Sequence, residues 1–529
     1  MNLKPMLNAY PDSLGGMLGD IVTLLGRKEL KEVFGSFYIL PSLYHSDLDR
    51  GFSVIDYDIN EELATQDDLK RLKQLGIDLK LDFILNHASA QSPQFKDLVE
   101  KGDASEYKNF FIDWNAFWKN CGEMTEDGYI QPDQKYLDPM FFRKPGLPLL
   151  MVEMADGSRI PYWNTFYQEI RDTDDYHTRY LGQMDLNIKS EKVWDFYRET
   201  IKKLAGYGAK IIRLDAFAYA PKAPGRANFL NEPETWEFLE QIHELAKPYG
   251  IRLLPEIHAG YKEKKYELIA QKGYLTYDFF LPGLILDALY RGDGTYLEQW
   301  AKEQIKENIH TVNMLGCHDG IPVLDLAGLL PDDRIEDLIR LLVDRGGFVK
   351  DLHGNKKMYY QVNTTYYNAL GENEQALLLA RALQIFMPGK PQVWYLDLFA
   401  GSNDYEAVKR AGAGGHKEIN RTNFSQKDIE SGLEKEVVKK QLEMLKFRKE
   451  FPAFGFDAEM EIRTKPAAQI SDQAENAFHF EKIPDEQMYN RIYITWKKDG
   501  YLARLSADLK AHTYRIQALD PSGNLIWQM

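Results

Sequence analysis

Two cysteines, Cys121 and Cys317, are all that this 529-residue chain carries. That excludes a disulfide framework for a chain of this size, and the sparse thiols fit a reducing compartment. No run of about 18 apolar residues occurs, so no segment reads as a membrane span. The opening stretch MNLKPMLNAYPDSLGG has one early lysine and an apolar run broken by Asp12, Gly15 and Gly16, which does not make a secretory signal. Positive charge is short as well: 65 Lys and Arg against 80 Asp and Glu leave a net charge of −15. A field of that sign repels phosphate backbones and anionic lipid, so nucleic acid and membrane surfaces are poor partners. Internal repeats and long flexible linkers are also missing. The expectation is a cytoplasmic globular protein.

What the chain has in excess is aromatic, 13% of its residues. Such rings either fill a large core or form surfaces that stack on sugar rings or bases.

Short apolar segments recur, each followed by a helical pattern: around Pro5–Tyr10, Ser36–Pro41, Leu79–Leu85, Lys210–Asp215, Arg252–Glu256, Thr276–Leu281, Thr311–Leu315 and Gln392–Tyr395. Strands alternating with amphipathic helices predict parallel βα units, and eight of them predict a (β/α)8 TIM barrel of the α/β class. One helix is expected from Thr65, capped with Asp68 and stopped by Gly76. Another is expected after Ser190, with Val193, Tyr197, Ile201 and Leu204 on one face. The rhythm breaks twice. About 120 residues separate the third strand from the fourth, and a second irregular stretch runs from Gly320 to Gly371. Past Phe454, alternating runs such as Arg491–Trp496 and Tyr501–Ala507 predict a small antiparallel β domain.

In a barrel, chemistry sits at the C-terminal ends of the strands. The polar residues closing strands there are Asp82 with Asn86 and His87, Arg213 with Asp215, Glu256 with His258, and His318 with Asp319. Arg213 and Asp215 are two apart on a strand and so point to the same side. A single acid at a strand end is commonly a turn former or a helix cap. Four strands ending in carboxylates or imidazoles are another matter, because burying several ionisable groups together is costly without a use. Three acids on strands four, five and seven suit retaining glycosyl transfer, in which one carboxylate attacks the anomeric carbon and a second protonates the leaving oxygen.

The blocks DFILNH, IIRLDAFAY, PEIH and LGCHDG, in this order, resemble the conserved regions of the α-amylase family, glycoside hydrolase family 13. The resemblance covers nearly the whole chain and implies a barrel (1–87, 191–319, 372–454), an inserted domain B (88–190), a B′ insertion (320–371) and a C-terminal β domain (455–529). It further implies Asp215 as nucleophile, Glu256 as general acid/base and Asp319 as transition-state stabiliser, with Arg213, His87, His258 and His318 as contacts to the sugar. No cofactor is implied. The segment Asp47–Phe52 lacks the ligand spacing of an EF-hand loop, so no metal is expected either.

Six segments, among them DRGFSVIDY, YDFFLPGLILDALY and YYQVNTTYYNALG, resemble the sucrose phosphorylase subgroup. That likeness implies Asp49 and Arg421 as a clamp on the far hydroxyls of a glucosyl ring. Phe52 and Phe166 would be its stacking platforms, and Tyr219 and Gln361 its neighbours. The expected partners are a small sugar substrate and inorganic phosphate. Where sucrose phosphorylases tend to show Arg-Pro-Arg-Pro-Gly-Leu-Pro and Asn-Leu-Asp-Leu-Tyr-Gln on two acceptor loops, this chain has FFRKPGLP and HGNKKMYYQ. Arg143, Lys144, His353, Lys356 and Lys357 therefore form a cationic set suited to an acceptor that carries its own phosphate. This is similar to the members of the subgroup that act on sucrose 6′-phosphate. Sucrose and glucosylglycerate phosphorylases are the neighbouring alternatives. An α-glucosidase-type hydrolase and a non-enzymatic barrel are the readings from other classes.

Overall fold

The computed structural model describes residues 3–352, 358–412, 415–464 and 490–529. Its centre is a parallel barrel of eight strands: β1 (Met6–Ala9), β2 (Ser36–Ile39), β3 (Asp78–Ile84), β4 (Ala209–Asp215), β5 (Arg252–Pro255), β6 (Thr276–Asp278), β7 (Thr311–Met314) and β8 (Lys390–Trp394). The hydrogen-bonded order is β5-β4-β3-β2-β1-β8-β7-β6. The ring closes where Leu275 N–H donates to the Leu253 carbonyl at 3.3 Å. All eight strands lie where the alternation of apolar runs and helices places them. β6 is shorter than expected: it stops at Asp278, whose carboxylate accepts the Leu281 N–H at 3.0 Å and starts the helix Leu281–Arg291, with Pro282 in its first turn.

The helix Gln66–Gln74 begins at Thr65 with the reciprocal Thr65–Asp68 capping box. Glu191–Tyr207 buries Val193, Tyr197, Ile201 and Leu204 and ends on Gly208. Inside the barrel the filling is polar toward the catalytic end. Lys80 Nζ donates to Gln392 Oε1 at 2.6 Å and to the Tyr277 hydroxyl, and burial depresses its pKa well below the usual lysine value.

Between β3 and β4 lies an insertion built from two hairpins (Gly122–Met124 with Ile130–Pro132, Leu149–Glu153 with Arg159–Trp163) and a three-stranded sheet. That sheet takes in His87–Ser89, the continuation of β3. Trp114, Trp118 and Trp163 form a separate core there with Ile112 and Ile130. Some of the aromatic rings therefore fill this core. The insertion is fastened to the barrel by a buried ion pair, Lys222 Nζ to Asp185 Oδ2 at 2.8 Å, which Asn86 and Thr165 complete. Removing one member of such a pair leaves an uncompensated buried charge. Lys222→Met is expected to cost about 3 kcal/mol, read as a lower urea midpoint; an unchanged midpoint would refute this clasp.

After β7 comes a small antiparallel sheet (Ile321–Pro322, Phe348–Leu352, Met358–Asn363) and the helix Asp332–Asp344. The chain ends in a five-stranded antiparallel sheet: β9 (Glu459–Arg463), β10 (Arg491–Lys498), β11 (Tyr501–Asp508), β12 (Thr513–Leu519) and β13 (Leu525–Gln528). Its alternating Ile492, Ile494 and Trp496 are buried, and Trp496 donates to the Phe386 carbonyl at 2.7 Å. Among the described residues, no helix is long and apolar enough to cross a membrane.

Candidate active site

Parallel register sets Arg213 on β4 opposite Asp82 on β3. Arg213 is 2% exposed and is the centre of the site. One amino nitrogen donates to Asp82 at 2.6 Å and to Asp215 at 2.8 Å; the other donates to Glu256 at 2.5 Å. Asp215 ends β4, and Glu256 follows the last residue of β5. Asp215 and Glu256 are thereby held by the two amino nitrogens of one guanidinium, and a retaining mechanism uses two carboxyl groups roughly 5 Å apart. The chain turns sharply behind Asp215, with Ala216 at φ 50°, a left-handed conformation that costs a non-glycine residue energy.

Burial pushes Asp215 well above the usual carboxylate range, with Arg213 working against it and Glu256 adding to the rise. Glu256 is equally buried, but Arg213 and His258 outweigh that and hold it below its ordinary value. The two acids titrate as a pair, so the upper step belongs to the pair rather than to either carboxyl alone. For His258, burial opposes the charged form, but Asp325 at 3.0 Å and Glu256 at 3.8 Å push it up to about 9. It is therefore an imidazolium at neutral pH, stacked on Phe279 at 4.0 Å.

A second charged group lies across the pocket. Asp49 and Arg50 both have left-handed backbone, and a Cβ on the next residue, Gly51, would stand 2.2 Å from Ser42 N, so only glycine fits there. This loop puts Asp49 Oδ1 3.7 Å from Arg421 Nη1. Arg421 is anchored by its Nε to the His318 carbonyl at 3.0 Å and by Nη1 to Glu418 at 3.1 Å. Asp319, after β7, is kept ionised: burial works against it, but the cations Lys417 and Arg421 hold its pKa well below the usual range. Gln361 and Asn363 each donate to the Asp319 carbonyl at 2.7 Å and fix the turn.

Phe52 and His318 stack at 5.0 Å, and Arg213 lies 5.4 Å over the Phe52 ring. His87 and Phe166 meet at 5.3 Å, Phe166 and Tyr219 at 5.2 Å. Burial lowers His87 to about 4 and His318 to about 3, so both imidazoles are neutral hydrogen-bonding groups. The Nε2 of His87 is spent on the Phe52 carbonyl at 3.0 Å. Arg143 sits over Phe166 and Tyr219, 5.7 and 5.8 Å from the ring centres. Lys144 goes elsewhere: its ammonium bonds Gln168 Oε1 at 3.0 Å and Asn164 Oδ1 inside the insertion, and burial lowers it to about 8. His353, Lys356 and Lys357 lie outside the described residues.

The structure lines one pocket with Arg213, Glu256, His258, His318, Asp319 and Gln361. It joins Asp215, Asp49, Arg421 and Phe52 to them through contacts with Arg213, Asp319 and His318, and links His87, Phe166, Tyr219 and Arg143 by ring contacts. It adds three residues that sequence reasoning missed. Asp325 orients His258, and Lys222 braces the segment after Asp215. Lys417 stands 2.6 Å from Asp319 and 3.8 Å from Asp49. Asp325 closes the segment that begins at His318, and Lys417 precedes the Glu418–Arg421 motif; nothing in their spacing marks them. As chemistry, the site offers a buried carboxylate pair on one cation, beside a polar clamp floored by aromatic rings.

Residues 12–318 match the family model described as the alpha amylase catalytic domain. A sucrose 6(F)-phosphate phosphorylase of Ilumatobacter coccineus is 52% identical, over 97% of this chain and 95% of that protein. A second protein of that name, from Thermoanaerobacterium thermosaccharolyticum, is 36% identical, over 98% of each chain. The crystal structure of sucrose 6F-phosphate phosphorylase from Thermoanaerobacter thermosaccharolyticum superposes with a TM-score of 0.85 at 34% identity, covering 100% of this chain and 98% of that one.

Proposed function

The chain belongs to the α-amylase family, and from that membership we propose that it is a retaining phosphorylase converting sucrose 6′-phosphate and phosphate to α-glucose 1-phosphate and fructose 6-phosphate. The carrying observation is Arg213 between Asp215 and Glu256 at the ends of adjoining strands, in a chain akin over its whole length to phosphorylases of this donor.

In the first half-reaction Asp215 attacks the anomeric carbon, the bond to the fructosyl oxygen breaks, and Glu256 gives that oxygen its proton. For this step the one proton of the pair stands on Glu256 and Asp215 is ionised. A bound glucosyl unit favours this, because an electrophilic carbon against Asp215 stabilises its ionised form and the glycosidic oxygen offers Glu256 a partner other than Arg213. In the second half-reaction phosphate attacks the β-glucosyl-enzyme from the vacated side and frees Asp215. Glu256, now ionised, takes the proton of the incoming oxygen. Two inversions return the α configuration. Asp319, Asp49 and Arg421 hold the ring hydroxyls, with Phe52 and Phe166 on the ring faces and His87, His258 and His318 as neutral or cationic walls. Paired charges of this kind give directional, charge-assisted contacts.

Arg143 supports an acceptor that bears a phosphate, since it lies over the Phe166–Tyr219 pair. A sugar phosphate carries about −1.5 to −2 charges near neutrality, and a contact from a partly desolvated cation is worth roughly 1.5–3 kcal/mol. The wild type is expected to favour sucrose 6′-phosphate over sucrose by about 10²-fold in kcat/KM. Arg143→Ala should remove at least tenfold of that preference while leaving sucrose within about threefold. Steady-state release of glucose 1-phosphate from the two donors measures both; equal values for the wild type would leave sucrose phosphorylase as the function. Two unpaired cysteines and phosphorylated substrates support a cytoplasmic location.

A further inference from the structure

We propose that Lys417 is a positioning residue of the glucose pocket, its ammonium lodged between Asp319 and Asp49 so that both carboxylates meet the ring hydroxyls as anions at a fixed spacing. This rests on the reading above that the glucosyl unit binds here.

The geometry is a charge-alternating ring. Lys417 Nζ is 2.6 Å from Asp319 Oδ1 and 3.8 Å from Asp49 Oδ2; Arg421 closes the other side, 3.7 Å from Asp49 and 4.0 Å from Asp319. Arg421 cannot serve both acids alone. Its Nε and Nη1 are committed to the His318 carbonyl and to Glu418, and among the described residues its buried Nη2 has no hydrogen-bond partner. The long contacts around Arg421 are wide enough for a sugar hydroxyl to bridge, whereas Lys417 and Asp319 are in close ionic contact, with Asp319 Oδ1 making no hydrogen bond among the described residues. Three acids (Asp49, Asp319, Glu418) share Lys417 and Arg421, because Arg50 is paired with Asp12 at 3.0 Å and stands 3.8 Å from Glu418, so deleting Lys417 would leave these carboxylates short of a counter-charge.

The placement is built. Lys417 is carried on the turn Gly415–Asn420 and its side chain is 15% exposed. Asn420 pins that turn, donating to the Cys317 carbonyl at 2.6 Å and accepting from Trp394 at 3.1 Å. A lysine suits this place: a compact charge with three donors can touch two carboxylates and still offer a proton to a hydroxyl.

The experiment uses α-glucosyl fluoride with phosphate, because this donor lacks a fructosyl group and reports on the glucose half whatever the natural acceptor proves to be. Lys417→Met, near in length and uncharged, should lower kcat/KM by roughly 10²-fold, with KM raised and kcat reduced, while Lys417→Arg stays within about tenfold of wild type. The penalty for removing the sugar 4-hydroxyl, measured with the 4-deoxy fluoride, should shrink in the Met variant because the clamp is already loosened. Thermal melts of both variants check folding, and the Arg variant carries the test if the Met variant does not fold. A Met variant with wild-type kcat/KM would overturn the proposal. So would a loss of active enzyme in both variants with KM and the deoxy penalty unmoved, since that marks a purely structural lysine. No turnover of the fluoride by the wild type would instead overturn the proposed function.

Discussion

Asp215→Asn is expected to abolish glucosyl transfer, by roughly 10⁴-fold or more in kcat/KM, for sucrose 6′-phosphate and for α-glucosyl fluoride alike. The amide oxygen can still accept from Arg213, which now lies 2.8 Å from the carboxylate, so the site should keep its shape. An amide cannot form the ester to the anomeric carbon. Stability should not fall with activity. Burial raises Asp215 in the folded protein, so the unfolded chain ionises it first. Folding stability is therefore lost as pH rises above the ordinary Asp value toward the raised one. Asparagine removes that loss, and the variant should melt at or above the wild-type temperature at neutral pH. Peptide mapping of an enzyme glucosylated by a slow fluorinated donor checks the assignment; a label on any residue other than Asp215 would sink it.

Glu256→Gln should cost about 10³-fold with sucrose 6′-phosphate, whose fructosyl oxygen leaves poorly without a proton. With α-glucosyl fluoride the glucosylation step should stay within about tenfold, since fluoride needs little help to leave. The pH profile separates the two acids further. In the wild type the active form holds one proton on the Asp215–Glu256 pair, and activity falls on the alkaline side as that proton is lost. Because burial raises the pair's upper titration, that limb should lie above the usual carboxylate range. In the glutamine variant with the fluoride donor, the limb should disappear. Equal losses with both donors would remove Glu256 from the acid role.

The membership of a retaining site was legible because β-strand alternation is local. Arg213 and Asp215 two residues apart had to share a side, and strands four, five and seven each ended in an acid, which no folding requirement explains. The capped helix from Thr65 and the apolar face Val193–Tyr197–Ile201–Leu204 were legible for the same reason: their partners lie within one or two turns. Tertiary packing decided the rest. Lys144 and Arg143 are neighbours in sequence, yet Lys144 turns into the insertion to meet Gln168 while Arg143 stays over Phe166 and Tyr219. Lys222 finds Asp185, His258 finds Asp325, and Lys417 finds Asp49 only once loops from distant strands are brought together. Strand periodicity and capping act over two to four residues and are written in the order of side chains. An ion pair across the mouth of a barrel depends on how far each loop reaches and which way it bends, and short-range patterns do not encode that. The sequence by itself determined which carboxylates stand at the strand ends. The folded barrel decided which cations hold them, because charges that far apart in the chain meet only after the ring has closed.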